Sequence, residues 1–153
     1  MIVITAPTGN IGHQVLENIL DSGEPIRVIA RDPARLDPQT RGRVEVVQGS
    51  HGDADVVMRA FAGADAVFWL VPPDPAIESL EAAYLDFTRP ACEAIKRHGV
   101  RNVVGVSALG RTTALRRHAG LVTAALAMDD LIVSTGVSYR ALALPSFMDN
   151  ILR

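Results

Sequence analysis

The sequence contains one cysteine, little net charge and no long uninterrupted apolar run. Because Cys92 has no second cysteine to pair with, an intrachain disulfide is excluded, and we expect no cysteine-rich metal site. So little cysteine fits a reducing compartment, and we expect a cytoplasmic protein. The formal net charge of -2 offers no bulk attraction to polyanions or anionic membranes, so nucleic acid is not an expected partner.

The apolar stretches of the chain are short. The longest, from Ala64 to Pro73, is interrupted by Asp65 and is far shorter than a membrane span. A β-branched run begins at Ile2 with no basic segment before it. We therefore expect neither a signal peptide nor a membrane partner.

Short β-branched runs alternate along the chain with longer amphipathic stretches. This alternation is typical of βαβ units that wind a parallel sheet. Most of the runs are apolar throughout, which indicates that helices cover both faces of the sheet. The sequence therefore predicts an α/β fold with a doubly wound parallel sheet. The predicted strands are Ile2–Thr5, Ile26–Ala30, Val44–Gln48, Ala66–Val71, Val103–Ser107 and Ser138–Leu142.

Four longer stretches are predicted to be helices, the first with a clear apolar face. A glycine follows closely after each stretch, as is usual where helices end. These glycines are Gly23, Gly63, Gly99 and Gly136. The predicted helices are Ile11–Ser22, Ala54–Ala62, Ile77–His98 and Leu115–Ser134.

The segment Ala6–Gly12 joins the first predicted strand to the first predicted helix. In a dinucleotide site, small residues here let the backbone approach the pyrophosphate, and the helix N–H groups and dipole favour its negative charge. Gly9 permits that approach, and Gly12 lets helix and strand pack closely. Ala6 replaces the first glycine of the usual motif, so a purely structural turn is the alternative. The expected cofactor contacts are Ala6, Thr8, Gly9, Asn10 and Ile11.

The second predicted strand is followed directly by Arg31. An acidic residue at this position binds the ribose hydroxyls of NAD, whereas an arginine can pair with the 2′-phosphate of NADP through its planar fork. We therefore predict NADP as the cofactor, with Arg31 and the nearby Arg35 as contacts. Asp32 could serve a ribose instead, which leaves NAD open, and a solvated Arg31 is the structural alternative.

Two further loops follow the carboxyl ends of predicted strands, where ligands of open α/β sheets bind. The first is expected near the adenine and the second along the rest of the cofactor. For His51, capping of Asp53 or exposure to solvent is preferred over catalysis. The expected wall residues are His51, Leu70, Val71 and Pro72.

Five segments show a resemblance when they are taken together: Thr5–Gly12, Ala30–Pro33, Gly63–Phe68, Val106–Gly110 and Phe147–Asn150. The combination resembles the NmrA-like family of atypical short-chain dehydrogenases/reductases. That resemblance implies a Rossmann domain followed by a smaller substrate-binding part. It also implies an activity among NAD(P)H-dependent quinone or azo reductases, isoflavone-type reductases and redox-sensing regulators.

The chain departs from this family where catalysis is concerned. Short-chain reductases use a Tyr-x-x-x-Lys pair, in which the tyrosine donates a proton. Leu121 and Ala125 stand at the corresponding positions, and neither can move a proton, so no catalytic residue is assigned. Ser107 matches the family position that faces the nicotinamide and could hydrogen-bond a substrate or the ribose. Ala108, the next residue, is also an expected cofactor contact. A serine that caps the backbone at the strand end is the alternative.

Several other residues of possible chemistry are expected to be structural. The family's Arg-Pro aligns with Ala143 and Leu144, which cannot replace it. His118, a conceivable proton donor by its usual pKa, is predicted to lie on a solvated helical face. The aromatic residues Phe68, Trp69 and Tyr139 are predicted to be core residues.

The length of 153 residues fits one domain, which we expect to span residues 1–153. Little sequence follows the sixth predicted strand. The chain is therefore either a minimal nucleotide-binding domain or the N-terminal part of a longer protein.

The leading hypothesis is an NAD(P)H-dependent oxidoreductase that transfers hydride to a quinone, an azo compound or a similar small acceptor. Such acceptors can be protonated by water, so no acid–base pair is required. The competing hypothesis is a non-catalytic NADP-binding redox sensor. A third, a structural pseudoenzyme, would require a blocked pyrophosphate site, with Pro7 as the blocking residue. The sequence leaves a homodimer or a protein partner open.

Overall fold

The computed structural model describes residues 1–71, 79, 80, 82–114 and 120–145. The strands are β1 Ile2–Thr5, β2 Ile26–Ala30, β3 Glu45–Gln48, β4 Ala66–Trp69, β5 Asn102–Ala108 and β6 Ser138–Leu144. They form a parallel sheet in the order β3-β2-β1-β4-β5-β6. The predicted α/β class with a doubly wound sheet is confirmed.

Helices connect the strands. They are α1 Asn10–Ile19, α2 Pro38–Arg41, α3 Ala54–Ala60, α4 Phe87–His98 and α5 Leu121–Val133, with a 3₁₀ turn at Pro33–Arg35 and a π-helical turn at Ala82–Asp86. The short elements between β2 and β3 were missed by the sequence analysis. Each begins with an Asp-Pro pair: Asp32 accepts a hydrogen bond from the backbone of Ala34, and Asp37 accepts from Gln39 and Thr40. An aspartate cap before a proline is a recognisable helix-start signal.

The winding of the sheet reverses beside β1. The chain moves outward from β1 to β2 and β3, then returns to place β4 on the other side of β1, where Ile4 pairs with both Val28 and Phe68. The loops that follow β1 and β4 therefore diverge at the carboxyl edge of the sheet. In open α/β sheets, this reversal creates the crevice in which ligands bind.

Two clusters of buried side chains cover the central strands. On one face, β1, β4 and β5 pack against α3, α4 and α5, with Trp69 and Phe61 fully buried. On the other face, Ile4, Val28 and Phe68 pack against Leu16 of α1. Both faces of these strands are thus apolar, which explains their continuous hydrophobic runs. Burial of Phe68 and Trp69 confirms their prediction as core residues.

The edge strand β6 does not follow this pattern. Its Leu142 and Leu144 are 49% and 38% exposed, so the described helices do not cover these side chains. The expectation that helices cover both faces holds for the central strands and is wrong for β6. The crossover helices of a doubly wound sheet lie over the strands that they connect, and β6 is the last element within the described residues.

The long helix predicted over Ile77–His98 has a different beginning. Ile77 lies outside the described residues, and the described segment starts as a π-helical turn before α4 continues regularly to His98. Pro90 lies in the first turn of α4 and has no N–H to donate to the preceding turn, which disfavours a regular α-helical ladder there. Gly99 ends the helix in the left-handed region, with φ +65°, as predicted.

Candidate functional site

Thr5 connects the carboxyl ends of the neighbouring strands β1 and β4 by hydrogen bonds. Its buried hydroxyl donates a hydrogen bond to the carbonyl of Phe68 and accepts one from the backbone N–H of Leu70, both at 2.9 Å. Because the Leu70 N–H bonds to a side chain instead of a strand neighbour, β4 ends at Trp69 and not at the predicted Val71. The start of the glycine turn is thereby fixed against the end of β4.

The turn after β1 brings helix α1 very close to the strand. Gly9 donates its N–H to the carbonyl of Ala6 at 3.0 Å, and Ala6 has a left-handed backbone with φ +51°. A β-carbon at Gly12 would overlap the carbonyl group of Ala6. The close packing that the sequence predicts for Gly12 is confirmed. The replacement of glycine by Ala6 in the motif is accommodated by a backbone conformation that alanine seldom adopts.

Helix α1 begins at this turn with features suited to an anion. Gly9 is the N-cap residue and has no side chain to satisfy the first N–H groups, and the first turn contains no acidic residue. The helix dipole therefore meets no negative protein charge from its own first turn. The residues present fit the pyrophosphate of a dinucleotide.

A cavity of about 350 Å³ lies between this turn and the segment after β2. Thr8 and Arg35, two of the predicted contacts, both line it. Its other lining residues are Pro7, His13, Leu36, Asp37 and Thr40. Arg31 is exposed directly after β2 and is not among the lining residues. Asp32, the residue that could have served a ribose, caps the 3₁₀ turn instead.

His51 is buried between aromatic rings. Only 6% of the residue is exposed, and its ring meets those of Trp69 and Phe87 edge to face, with centroids 5.3 and 4.8 Å apart. Its Nε2 lies 3.0 Å from the carbonyl oxygen of Leu70, to which it must donate because a carbonyl only accepts. Burial lowers the pKa of His51 from 6.5 to about 4, the Leu70 hydrogen bond opposes this shift, and the charge of Arg31 adds to it.

The preferred expectation for His51, that it caps Asp53 or faces solvent, is therefore wrong. Asp53 itself caps α3 by accepting hydrogen bonds from the backbone of Asp55 and Val56. The aromatic neighbours that bury His51 come from β4 and α4, so no local sequence signal indicates them. The structure does join the predicted wall residues His51 and Leu70 by a direct hydrogen bond. Val71 is 8% exposed, and Pro72 lies outside the described residues.

Ser107 contacts another side chain at the carboxyl end of β5. Its hydroxyl donates to Oδ2 of Asp129 at 2.6 Å, so the alternative of a backbone-capping serine is wrong. Oδ1 of Asp129 accepts from the hydroxyl of Tyr139 at 2.6 Å, and Arg111 donates to Oδ2 at 3.0 Å. Ala108 is the last residue of β5 and pairs with Leu144.

The sequence analysis missed Asp129, which is 1% exposed, and its partner Arg111. One signal in the sequence could have indicated Asp129: its carboxylate lies between the apolar residues Met128 and Ile132 of a helix. A charge buried among apolar residues requires hydrogen-bond partners. Tyr139 packs against the core as predicted. Burial and the neighbouring Asp129 raise the pKa of its phenol far above the usual value, so Tyr139 remains a hydrogen-bond donor.

The positions of the family's missing catalytic pair lie on α5. Leu121 is 58% exposed and Ala125 is buried. Ala143 is exposed on β6, and His118 lies outside the described residues, as does the segment Phe147–Asn150.

Within the described ranges, no group of three or more His, Cys, Asp or Glu residues is arranged to hold a metal ion. None of the helices in the same ranges is long and apolar enough to cross a membrane.

Two of the solved structures that are similar to this chain are NADP-linked reductases. The triphenylmethane reductase of Citrobacter sp., complexed with NADP(H), has a TM-score of 0.80 at 20% identity, with 99% of this chain and 52% of that chain covered. The NADPH-dependent quinone oxidoreductase of Escherichia coli has a TM-score of 0.73 at 26% identity, with 99% and 50% covered. The chain thus spans about half the length of these proteins.

A curated relative is similar in sequence over part of the chain. It is the (4-alkanoyl-5-oxo-2,5-dihydrofuran-3-yl)methyl phosphate reductase of Streptomyces griseus subsp. griseus. The two are 44% identical over 85 residues, which are 54% of this chain and 29% of the relative.

The model of the NAD(P)H-binding family matches residues 7–151. The match covers nearly the whole chain and includes the glycine turn from Pro7 onward, the end of β2 and the carboxyl ends of β4 and β5. The expected NAD(P)-binding Rossmann fold is confirmed, while the narrower NmrA-like assignment stays a prediction. The chain belongs to the NAD(P)H-binding family.

Proposed function

We propose that this chain binds NADPH as part of an oxidoreductase that transfers hydride to a small acceptor such as a quinone or an azo compound. The observation that carries the proposal is the cavity in which Thr8, from the glycine turn, and Arg35, from the segment after β2, face the same space. One of these segments would hold the pyrophosphate and the other the 2′-phosphate of the adenosine.

The residues of the chain would mainly bind and orient the cofactor. The N-terminus of α1 would hold the pyrophosphate, and Gly12 allows the helix to lie close enough for this contact. Arg35 and Arg31 would pair with the 2′-phosphate, because their guanidinium groups match the geometry of phosphate oxygens. When bound, NADPH supplies the hydride.

Neither His51 nor Tyr139 stands ready to deliver a proton to an electron acceptor. His51 is buried and neutral near pH 7, and Tyr139 has a raised pKa and donates to Asp129. An acceptor whose reduced form can take its proton from water fits this arrangement, and quinones and azo compounds meet that condition. The names of the similar reductases support this class of reaction.

Calorimetric titration of NADPH and NADH tests the cofactor site. We expect tighter binding of NADPH than of NADH, and loss of that difference in Arg35→Ala and Arg31→Ala. Arg89→Ala is the matched control, because Arg89 is an exposed arginine on α4 whose partner is Asp86. If the wild type binds neither cofactor, the proposed function fails.

A non-catalytic NADP sensor is the second candidate, and the replacement of the family's Tyr and Lys by Leu121 and Ala125 favours it. Steady-state oxidation of NADPH separates the two candidates. The acceptors tested would include a quinone, an azo dye and an alkanoyl-oxo-dihydrofuran phosphate of the kind named for the Streptomyces relative. Turnover above the background rate excludes a pure sensor, whereas tight binding without turnover of any acceptor favours it.

A further inference from the structure

Asp129 has a buried carboxylate that accepts a hydrogen bond from the hydroxyl of Ser107, at the carboxyl edge of the sheet. It lies on α5 and is 1% exposed. Its hydrogen-bond partners are Ser107, Tyr139 and Arg111, and all three are donors. Three donors, one of them charged, match what an ionised carboxylate accepts.

This arrangement fixes the direction of the Ser107 hydroxyl. An ionised carboxylate accepts hydrogen bonds and donates none, so the proton of Ser107 Oγ points at Asp129. The lone pairs of Oγ are left for any other partner. Ser107 is 7% exposed and is followed by Ala108, where β5 ends. Toward the crevice, Ser107 can therefore act only as an acceptor.

The place of Ser107 in the sheet indicates which part of a dinucleotide it would meet. The cavity lined by Arg35 lies beside the segment after β2, on one side of β1. Strands β4 and β5 lie on the other side of β1, and Gly105 of β5 pairs with Trp69 at the end of β4. If the adenosine half lies over β2, the nicotinamide half extends over β4 and β5, where Ser107 stands.

We infer that Asp129 is a positioning residue, which holds Ser107 as a hydrogen-bond acceptor for a hydroxyl of the nicotinamide ribose. The inference rests on the proposed function, because it needs a dinucleotide in the crevice. A ribose hydroxyl can donate to Ser107 Oγ. The carbonyl oxygen of an electron acceptor such as a quinone cannot donate a hydrogen bond. Two hydrogen-bond acceptors that face each other without a proton between them are unfavourable. Ser107 therefore binds the cofactor and not the molecule that takes up the hydride.

Two ligands and three variants test this role by calorimetry. NADPH contains the nicotinamide ribose, whereas 2′,5′-ADP contains only the phosphorylated adenosine part. Ser107→Ala removes the acceptor. Asp129→Ala removes the carboxylate that fixes the direction of the Ser107 hydroxyl, so the proton of Ser107 is free to turn toward the ribose. Tyr139→Phe is the matched control, since it removes another hydrogen bond of Asp129 and leaves Ser107 in place.

We expect Ser107→Ala and Asp129→Ala to weaken NADPH binding about fivefold, as the loss of one hydrogen bond does, with 2′,5′-ADP unaffected. Tyr139→Phe should bind both ligands like the wild type. Wild-type NADPH affinity in Ser107→Ala, or equal weakening of both ligands in the two variants, would overturn the inference. Wild-type NADPH affinity in a folded Asp129→Ala overturns the inference as well, and if that variant does not fold, wild-type affinity in Ser107→Ala still overturns it. Failure of the wild type to bind either ligand would instead refute the proposed function.

Discussion

The hydroxyl oxygen of Thr5 lies 2.9 Å from the backbone nitrogen of Leu70, a residue 65 positions away, and accepts its hydrogen bond. The same hydroxyl donates to the carbonyl of Phe68. One side chain thus replaces a ladder hydrogen bond at the point where the crevice opens between β1 and β4. Both backbone groups of Leu70 are engaged by side chains, because its carbonyl accepts from His51.

Replacement of Thr5 by valine keeps the shape of the side chain and removes its hydroxyl. We expect Thr5→Val to lower the free energy of unfolding by about 1–3 kcal/mol, because two buried backbone groups lose their partner. Urea denaturation measures the change. Thr5→Ser retains the hydroxyl and should lose clearly less stability. Equal losses in the two variants would show that packing, and not the hydrogen bonds, is what Thr5 contributes.

Gly12 is predicted to tolerate no side chain. A β-carbon there overlaps the carbonyl group of Ala6, so Gly12→Ala must displace the start of α1 from the strand. We expect a loss of about 1–3 kcal/mol in the free energy of unfolding, together with weaker NADPH binding. Gly42→Ala is the control, since the nearest atoms there lie at 3.6 Å and φ is -70°. Similar thermal midpoints for Gly12→Ala and Gly42→Ala would contradict the close approach.

The buried His51 should make stability depend on pH. Its pKa is lowered from 6.5 to about 4. Between these two pH values, His51 is neutral in the folded protein but protonated in the unfolded chain. The stabilisation is complete above pH 6.5 and is lost as the pH falls toward 4, with a loss of about 2 kcal/mol at pH 5.

The measurement is the urea midpoint at pH 7.5 and at pH 5 for the wild type and His51→Gln. The variant can still donate to Leu70 and should lose much of the pH dependence. His13→Gln changes a half-exposed histidine that pairs with Glu17 and should leave the dependence in place. If the urea midpoints of His51→Gln at pH 7.5 and pH 5 differ as much as those of the wild type, groups other than His51 cause the pH dependence.

Asp129 and Asp130 offer a matched pair, because both bind Arg111 and only Asp129 is buried. We expect Asp129→Ala to lower the free energy of unfolding by about 3 kcal/mol or more, since Ser107 and Tyr139 lose their shared acceptor. Asp130→Ala removes an exposed ion pair and should change stability by about 0.5 kcal/mol or less. A comparable loss in both variants, measured by denaturation, would mean that the contact with Arg111 is what matters.

Local patterns in the sequence predicted most of the sheet. The strands were predicted from short β-branched runs, and the glycine turn was predicted from its position between a strand and a helix. The short helical segments after β2 were not predicted, although Asp32 and Asp37 each precede a proline and cap the segment that follows. The end of β4 was misplaced because its cause, the hydroxyl of Thr5, lies on another strand.

The sequence by itself determined the parallel sheet, the turn after β1 and the presence of arginines after β2, since these depend on residues that are close together in the chain. Only the tertiary structure decided which polar groups became buried partners. Ser107 and Asp129 are 22 residues apart, and His51 meets Leu70 and the ring of Phe87 only once β3, β4 and α4 have packed. A buried polar group must find a partner wherever the fold brings one near, and spacing along the chain does not encode that choice.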